Sequence, residues 1–294
     1  MTIRWTVGLP TDQVDLGPDL ISASAVVEMA GALETAGVDA CFVTDHPYPP
    51  AQWVAEGGHH ALDPLVALSF AAAATTRLKL HTNIFVAAYR HPVLSAHGVA
   101  SLDALSGGRV IFGVAVGYLE PEFEALGVDY HRRGAVLDDT VARIKASWAG
   151  EPGPLGNALR PLPALPPPIW FGGNSRASVR RVVTSGQGWL PFPASPGLAR
   201  AVRTTSIASV DDLRLAIADL RNLADQVGRT EPIDVCFAGF SHRHGGFEPQ
   251  RLLDEAAELE ALGVTWMSVR LPAPSRAGYL ENVECFAAEV LAKA

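Results

Sequence analysis

The stretch Pro168-Ile-Trp-Phe-Gly-Gly-Asn-Ser175 places an apolar strand directly before two glycines and a helical pattern that runs from Arg176 to Ser185. Glycines let the backbone approach an anion, and Asn174 or Ser175 is suited to cap the helix. A helix start points unpaired N–H groups and a partial positive charge at a ligand. The stretch therefore predicts a phosphate cradle, with an ordinary turn as the competing interpretation.

A second strand that ends in reactive side chains lies far upstream, in Cys41-Phe-Val-Thr-Asp-His-Pro47. His46 is a candidate general acid or base because imidazole titrates near neutral pH. Asp45 is a candidate to orient that imidazole or to bind the polar edge of a ring. The alternatives are a histidine bonded to backbone under a loop and an aspartate that caps a turn. Two strand ends that carry chemistry indicate one shared site.

Short strand-like runs alternate with helical patterns along the whole chain, which favours a parallel sheet covered by helices. The predicted strands are Trp5–Leu9, Ala40–Thr44, Leu78–Asn83, Val110–Val114, Ile169–Phe171, Gly188–Leu190, Ile233–Phe237 and Trp266–Val269. The predicted helices are Ala23–Thr35, Pro64–Ala74, His91–Leu105, Leu137–Trp148, Arg176–Ser185, Val210–Val227, Pro249–Leu262 and Gly278–Leu291. Eight such units predict a (β/α)₈ TIM barrel that spans residues 1–294 as a single domain.

A doubly wound open sheet is the alternative fold, but it would carry its glycine-rich phosphate turn after the first strand. Thr6-Val-Gly-Leu-Pro-Thr11 lacks that turn. The segment Gly150–Pro168 is rich in proline and glycine without periodicity and is interpreted as a long loop. Pro191–Ser206 is a second irregular stretch and a candidate flexible lid.

Composition excludes several classes of protein. The net charge of −8 comes without a basic run, which argues against a nucleic-acid partner. No apolar run is long enough to span a membrane, and the chain enters a strand pattern at once without a leader, so we expect a cytoplasmic protein. The three cysteines are widely separated, and two of them, Cys41 and Cys236, lie in apolar strands as small buried hydrophobes.

In a TIM barrel the carboxyl ends of the strands face the active site. The residues that this rule brings together are Asp45, His46, Asn83, Ile84, Ala115, Val116, Gly117, Gly172, Gly173 and Asn174. The segment from Ala115 to Gly117 carries little side chain and leaves room for a flat ligand, unless it serves only tight packing. Tyr118 follows it and is a candidate phenolic proton donor, with amphipathic packing as the alternative.

An ordered set of motifs resembles the luciferase-like monooxygenase superfamily, and most closely its branch that depends on coenzyme F420, a deazaflavin. The motifs are Thr44-Asp-His-Pro47, Leu80-His-Thr-Asn-Ile-Phe85, Tyr89-Arg-His-Pro92, Leu105-Ser-Gly-Gly-Arg109, Gly113-Val-Ala-Val-Gly-Tyr118, Glu122-Phe-Glu-Ala-Leu-Gly127, Pro168-Ile-Trp-Phe-Gly-Gly-Asn174 and Gly188-Trp-Leu-Pro191. The resemblance covers about residues 3 to 195, and the remainder matches only as barrel units.

The resemblance implies a (β/α)₈ barrel that binds a deazaflavin, or in other branches flavin mononucleotide (FMN), with the ring at the carboxyl ends of the strands. It implies that His46 faces the reactive ring and that Asp45 faces its polar edge. It places a bulge with a non-prolyl cis peptide at Asn83–Ile84, behind the ring. It also implies that Gly172 and Gly173 donate N–H groups to the cofactor phosphate.

Two features depart from the family pattern. Some deazaflavin dehydrogenases carry a glutamate where Tyr118 stands, so their acid role does not transfer to this chain. The loop Gly150–Pro168 is also short.

The resemblance predicts hydride transfer between F420 and a small organic substrate that the sequence does not identify. The alternatives are an FMN-dependent monooxygenase that uses reduced flavin and O₂, and a cofactor-binding protein without turnover.

A metal-dependent hydrolase is a candidate from another class. Its ligands would come from Asp45, His46, His59, His60, Asp63, His242 and His244, but His242 and His244 lie among glycines beyond the seventh strand and no metal is predicted. The helices Pro64–Ala74 and His91–Leu105 offer an edge that suits a homodimer. Trp53, Trp189 and Phe192 are candidate apolar walls of the substrate site.

Overall fold

The computed structural model describes residues 3–240 and 247–293. Its strands are β1 Arg4–Gly8, β2 Ala40–Val43, β3 Lys79–Thr82, β4 Phe85–Val86, β5 Val110–Ala115, β6 Ile169–Gly172, β7 Gly188–Leu190, β8 Asp234–Phe237 and β9 Trp266–Val269. All the strand pairs are parallel, in the order β3-β2-β1-β9-β8-β7-β6-β5-β4, and pairing of β3 with β5 closes the sheet. The predicted (β/α)₈ barrel is confirmed.

Helices surround this barrel. They are α1 Pro18–Ile21, α2 Ala23–Ala36, α3 Ala51–Ala55, α4 Pro64–Ala74, α5 Pro92–Ser106, α6 Glu120–Ala125, α7 Arg133–Trp148, α8 Arg176–Ser185, α9 Pro196–Ala201, α10 Val210–Gln226, α11 Pro249–Leu262 and α12 Arg276–Phe286, which continues as a π-helical turn, Ala287–Leu291. Within the described ranges, none of these helices combines the length and the apolar character that crossing a membrane requires.

The structure corrects the sequence interpretation at three places. The third predicted strand, Leu78–Asn83, is divided, because the chain leaves the ladder after Thr82 and resumes it at Phe85. The irregular stretch Pro191–Ser206 contains helix α9. Helices α1, α3 and α6 were not predicted either. They are too short for hydrophobic periodicity to show.

The barrel interior is filled by side chains and is not a channel. The inward-facing cluster consists of Ala40, Ile111, Trp170, Leu190, Cys236 and Trp266. His81 lies among them without exposure, and burial lowers its pKa to about 3, so its imidazole is neutral. A larger apolar layer packs between the strands and the helices and contains the buried Cys41. The carboxyl ends of the strands are therefore supported by a closely packed barrel interior.

Glu34, at the end of α2, holds the connection from α4 to β3. Its carboxylate accepts hydrogen bonds from the backbone N–H groups of Thr76, Arg77 and Leu78, at 2.6–3.1 Å. Partial burial opposes ionisation, but these bonds outweigh it and lower the pKa of Glu34 from 4.5 to about 2. The folded state therefore gains stability from Glu34 above pH 4.5, and this gain is lost as the pH falls toward 2.

Replacing Glu34 with glutamine is expected to lower the free energy of unfolding at pH 7 by about 1–2 kcal/mol, a modest value because the carboxylate is partly solvated. Denaturant unfolding of the variant and the wild type between pH 7 and pH 3 measures the difference, which should shrink as the pH falls. Glu258→Gln, at an exposed position on α11, is the control. A difference that stays constant with pH would disprove the assignment.

Candidate active site

His46 follows β2 and is bonded to a glutamate that comes from α6. His46 Nδ1 lies 3.1 Å from Glu122 Oε2, and both side chains are buried, with exposed fractions of 8% and 0%. The strand end fixes the position of the imidazole, and the first turn of α6 fixes the carboxylate. Asp45 is a sequence-based candidate to orient His46, whereas the carboxylate in contact with the ring is Glu122.

Glu122 also accepts bonds from two other groups. The backbone N–H of Tyr48 donates to Oε1 at 2.9 Å, and the phenol of Tyr89 donates to Oε2 at 3.0 Å. Burial opposes ionisation of Glu122, but the bonds from His46, Tyr48 and Tyr89 outweigh it and hold its pKa below the ordinary value. The carboxylate is therefore ionised and accepts only.

Tyr118 approaches the other nitrogen of the same imidazole. Its phenolic oxygen lies 3.3 Å from His46 Nε2. Burial raises the pKa of Tyr118 to about 12, and the charge of Glu122 adds to the effect. The phenol is therefore protonated at neutral pH. The structure thus links Tyr118, His46 and Glu122 in one chain of hydrogen bonds, called the Tyr118–His46–Glu122 chain below.

Aromatic residues from the loop after β2 enclose His46. The ring of Trp53 lies 4.7 Å from the imidazole centroid, and the ring of His59 lies 5.1 Å from it in an edge-to-face arrangement. Burial lowers the pKa of His59, which favours its neutral form. These contacts restrict His46 to one orientation and keep bulk water away from it.

Asp45 is held in a salt bridge with Arg90. The guanidinium donates to both carboxylate oxygens, at 2.6 and 2.9 Å, and Val86 N donates to Oδ2 at 2.9 Å. Arg90 also contacts Asp63 at 3.1 Å. The carboxylate of Asp45 is 1% exposed. It connects the end of β2 to β4 directly, and to the start of α4 through Arg90. Its contact with a cofactor stays a prediction.

A small apolar surface lies between the ends of β3, β5 and β6. The peptide bond Asn83–Ile84 is cis, as the resemblance implied. The side chain of Ile84 lies over Gly172, where a Cβ would come within 2.2 Å of Ile84 and 3.2 Å of Ala115. Asn83, Ile84, Ala115 and Val116 are all partly exposed. The structure therefore brings these predicted residues together at the carboxyl ends of the strands, called the barrel mouth below.

Gly117 makes the turn that carries Tyr118 toward His46. Its φ is 76°, and a Cβ would come within 2.8 Å of Val86 and 2.9 Å of Phe123. A larger residue would combine backbone strain with two collisions. Its role in the structure is to position Tyr118, and its contact with a cofactor stays a prediction.

The predicted phosphate cradle is built differently from the expectation. Gly173 turns with φ 105° before α8, but its N–H donates to the carbonyl of Leu190 at 3.1 Å. The side chain of Asn174 holds the loop after β7 through Phe192 and Thr205. Ser175 caps α8, as predicted, by accepting from Ser178 N. Because Ser175 already bonds Ser178 N, the backbone N–H groups at the start of α8 that could bind an anion are those of Arg176 and Ala177.

A cleft of about 130 Å³, open to solvent, lies beside His59 between the ends of β1 and β9. It is lined by Gly8, Pro10, Asp12, Gln13, His59, Arg270 and Leu271. Arg270 forms an ion pair with Asp12, and the arginine side chain is 48% exposed.

Those residues of the metal hypothesis that the structure describes do not assemble into a ligand set. Asp45 and Asp63 share the cation Arg90, and His59 Nδ1 contacts the carbonyl of His60. Over residues 3–240 and 247–293, no group of three or more His, Cys, Asp or Glu side chains could hold a metal ion. His242 and His244 lie outside the described residues.

The sequence motifs do not indicate the partners of His46 and Asp45. Glu122, Arg90 and Tyr89 lie in family motifs, but the motifs alone assign them no contact with these two residues. Glu122 lies in the first turn of α6, a helix too short for hydrophobic periodicity to indicate. Nothing in the spacing of the chain shows that it reaches His46, 76 residues away.

Comparisons with known proteins identify the family of this chain and proteins that share its fold. The profile of the luciferase-like monooxygenase family matches residues 4–244. The protein Rv0940c of Mycobacterium tuberculosis is 25% identical over 295 residues, which cover 91% of this chain and 94% of that protein. An F420-dependent glucose-6-phosphate dehydrogenase of Beutenbergia cavernae is 32% identical over 207 residues, 64% of this chain and 59% of the dehydrogenase. The crystal structure of the monooxygenase RslO1 from Streptomyces bottropensis shares the fold, with a TM-score of 0.75 and 18% identity over 99% of both chains.

Proposed function

Because the chain belongs to the luciferase-like monooxygenase family, we propose that it is an oxidoreductase that transfers a hydride between coenzyme F420 and a small organic substrate. The observation that carries the proposal is the Tyr118–His46–Glu122 chain, which ends beside the apolar surface at the barrel mouth. Hydride transfer to or from an alcohol or carbonyl needs a proton path beside a flat ring. The similarity to an F420-dependent dehydrogenase supports the choice of cofactor.

The residues at the mouth fit a deazaflavin. The ring would lie against Ile84, Ala115 and Val116, where Gly172 leaves no side chain of its own, with Asn83 and Asp45 toward its polar edge. The phosphate would lie at the amides of Arg176 and Ala177, while Gly173 and Asn174 shape the turn before them. When bound, the deazaflavin supplies the hydride chemistry, and the protein supplies orientation and the proton path.

An FMN-dependent monooxygenase with reduced flavin and O₂ is the alternative within the same family. The same apolar surface and helix start would hold its isoalloxazine ring and phosphate. A cofactor-binding protein without turnover is the second alternative. The ordered and buried bonds around His46 favour catalysis over binding alone, since a site that only binds has no need of a proton path.

The reaction type is tested by anaerobic mixing of the protein and oxidised F420 with a panel of secondary alcohols and sugar phosphates. Loss of the oxidised deazaflavin absorbance with one or more donors is the expected result. A parallel assay supplies reduced FMN and O₂ and follows oxygen consumption and product. Turnover in the second assay alone would replace hydride transfer with monooxygenation.

We also propose a homodimer through the outer faces of α4 and α5. Helix α4 contains no charged residue, and its outer face exposes Val66 and Phe70, at 56% and 42%. Leu94 on the adjacent α5 is 70% exposed. Such a patch on two neighbouring helices suits an isologous interface with a second copy of the chain.

Phe70→Lys is expected to convert the dimer to monomer, or to weaken dimerisation at least about tenfold, because it buries a charge in the apolar interface. Sedimentation equilibrium of the variant and the wild type measures the change. Leu215→Lys places the same charge at a leucine of α10 that is 58% exposed, outside the patch, and should leave the dimer intact. A monomeric wild type, or equal dissociation by both variants, would contradict the proposed interface.

A further inference from the structure

We propose that Tyr118 exchanges the proton with the substrate, and that Glu122 is a positioning residue which holds His46 in the tautomer that accepts from the Tyr118 phenol. The inference rests on the proposed function for the identity of the reaction. Its basis is the geometry of the Tyr118–His46–Glu122 chain alone.

The tautomer of His46 follows from the bonds around Glu122. A carboxylate accepts hydrogen bonds and donates none, and Glu122 is buried with three partners: His46, Tyr48 N and Tyr89. The pKa of Glu122 lies below its ordinary value, which agrees with the ionised form. Its contact with His46 Nδ1 therefore requires the proton to be on Nδ1.

A neutral imidazole protonated at Nδ1 has its lone pair on Nε2. The phenol of Tyr118, 3.3 Å from Nε2, must then be the donor. Its raised pKa keeps the proton on the phenol at neutral pH, as this arrangement needs. Each link in the chain thus has one donor and one acceptor, and the direction of every bond is fixed by the ionised Glu122.

Exposure decides which member of the chain meets the substrate. Tyr118 is 38% exposed at the barrel mouth, while His46 is buried and is covered by Trp53 and His59. A substrate at the mouth reaches the phenol first. His46 therefore acts through Tyr118, as the base that the phenol needs, and Glu122 acts through His46.

In the oxidation of an alcohol the transfers balance as follows. The C–H bond of the substrate would break, and a bound oxidised deazaflavin would accept the hydrogen with its electron pair as hydride. The hydroxyl proton passes to Tyr118 Oη as the phenolic proton moves to His46 Nε2, so the imidazole becomes an imidazolium paired with Glu122. Reduction of a carbonyl would run the same transfers in reverse. The alcohol thus loses one hydride and one proton. The phenol is restored by the substrate proton, and the imidazole keeps the phenolic proton.

The test is the tautomer of His46, measured by proton–nitrogen NMR correlation of the full-length protein labelled with ¹⁵N-histidine at neutral pH. The resonance is assigned by its absence in His46→Asn. We expect the Nδ1–H form in the wild type, the same form in Tyr118→Phe, and a shift toward the Nε2–H form in Glu122→Gln. Tyr118→Phe keeps the aromatic ring and removes only the hydroxyl. It can therefore be used in the test even if the buried substitution Glu122→Gln prevents folding.

The kinetic test uses a donor found in the panel assay. Tyr118→Phe should lower kcat about 10²-fold with little change in KM, whereas Tyr130→Phe, which removes a phenol on the turn before α7 and outside the Tyr118–His46–Glu122 chain, should not. A wild-type His46 in the Nε2–H form, or full turnover by Tyr118→Phe, would overturn the inference. The tautomer is measured without cofactor, so the two proposals can fail separately. A wild-type protein that does not bind deazaflavin would overturn the proposed function.

Discussion

His46→Ala and His46→Asn are each expected to lower turnover by about 10²-fold or more while leaving deazaflavin affinity within a few-fold of the wild type. The imidazole lies between Tyr118 and Glu122 and is the member of that chain that takes up the phenolic proton. Asparagine keeps a hydrogen bond but cannot take up the proton near neutral pH. It should therefore behave like alanine.

Single-turnover rates and fluorescence titration of the same preparations separate the two effects. His97→Asn is the matched control, since His97 is exposed on α5. Normal turnover in both His46 variants would remove the imidazole from the mechanism. Loss of wild-type activity on treatment with a chelator would point to the metal hypothesis instead.

Gly173→Val is expected to weaken cofactor binding at least tenfold, about 1.4 kcal/mol. Gly173 has a φ of 105°, and a Cβ there would come within 2.9 Å of the Ser178 hydroxyl, which lies 3.1 Å from the capping hydroxyl of Ser175. A β-branched residue would therefore disturb the first turn of α8, where the amides of Arg176 and Ala177 are proposed to hold the phosphate.

The variant is also expected to lose about 1–3 kcal/mol of folding stability from backbone strain. Gly228→Val is the control, because Gly228 has a φ of 68°, has no neighbour within 4 Å of a Cβ and lies at the far end of α10. Fluorescence titration of both variants with F420 separates strain from phosphate binding. Equal losses of affinity in the two variants would exclude α8 from the phosphate site.

The barrel was predictable because its signals are local. Each strand is an apolar run that ends in a turn residue, and the rule that strand ends face one site placed Asp45, His46, Ile84 and Gly172 at the same mouth. The cap at Ser175 was predictable for the same reason, since it depends on a bond to a residue three positions away.

The partners of these residues were not predictable, because they depend on contacts distant in sequence. Arg90 reaches Asp45 from the turn after β4, and Glu122 reaches His46 from α6. The Gly173 N–H, expected at a phosphate, is taken by Leu190 of the neighbouring strand, a bond that only sheet register decides. A sequence pattern predicts where a strand ends. The hydrogen bonds that join residues at different strand ends can be identified only from the three-dimensional structure.

Competitive titration of the purified protein with F420 and FMN, followed by cofactor fluorescence, tests the central claim most directly. The structure offers an apolar surface for a ring and a helix start for a phosphate, and the proposed function assigns both to a deazaflavin. We expect F420 to bind at least tenfold more tightly than FMN, a preference of about 1.4 kcal/mol. Equal affinities, or tighter binding of FMN, would contradict the account and favour a flavin-dependent enzyme.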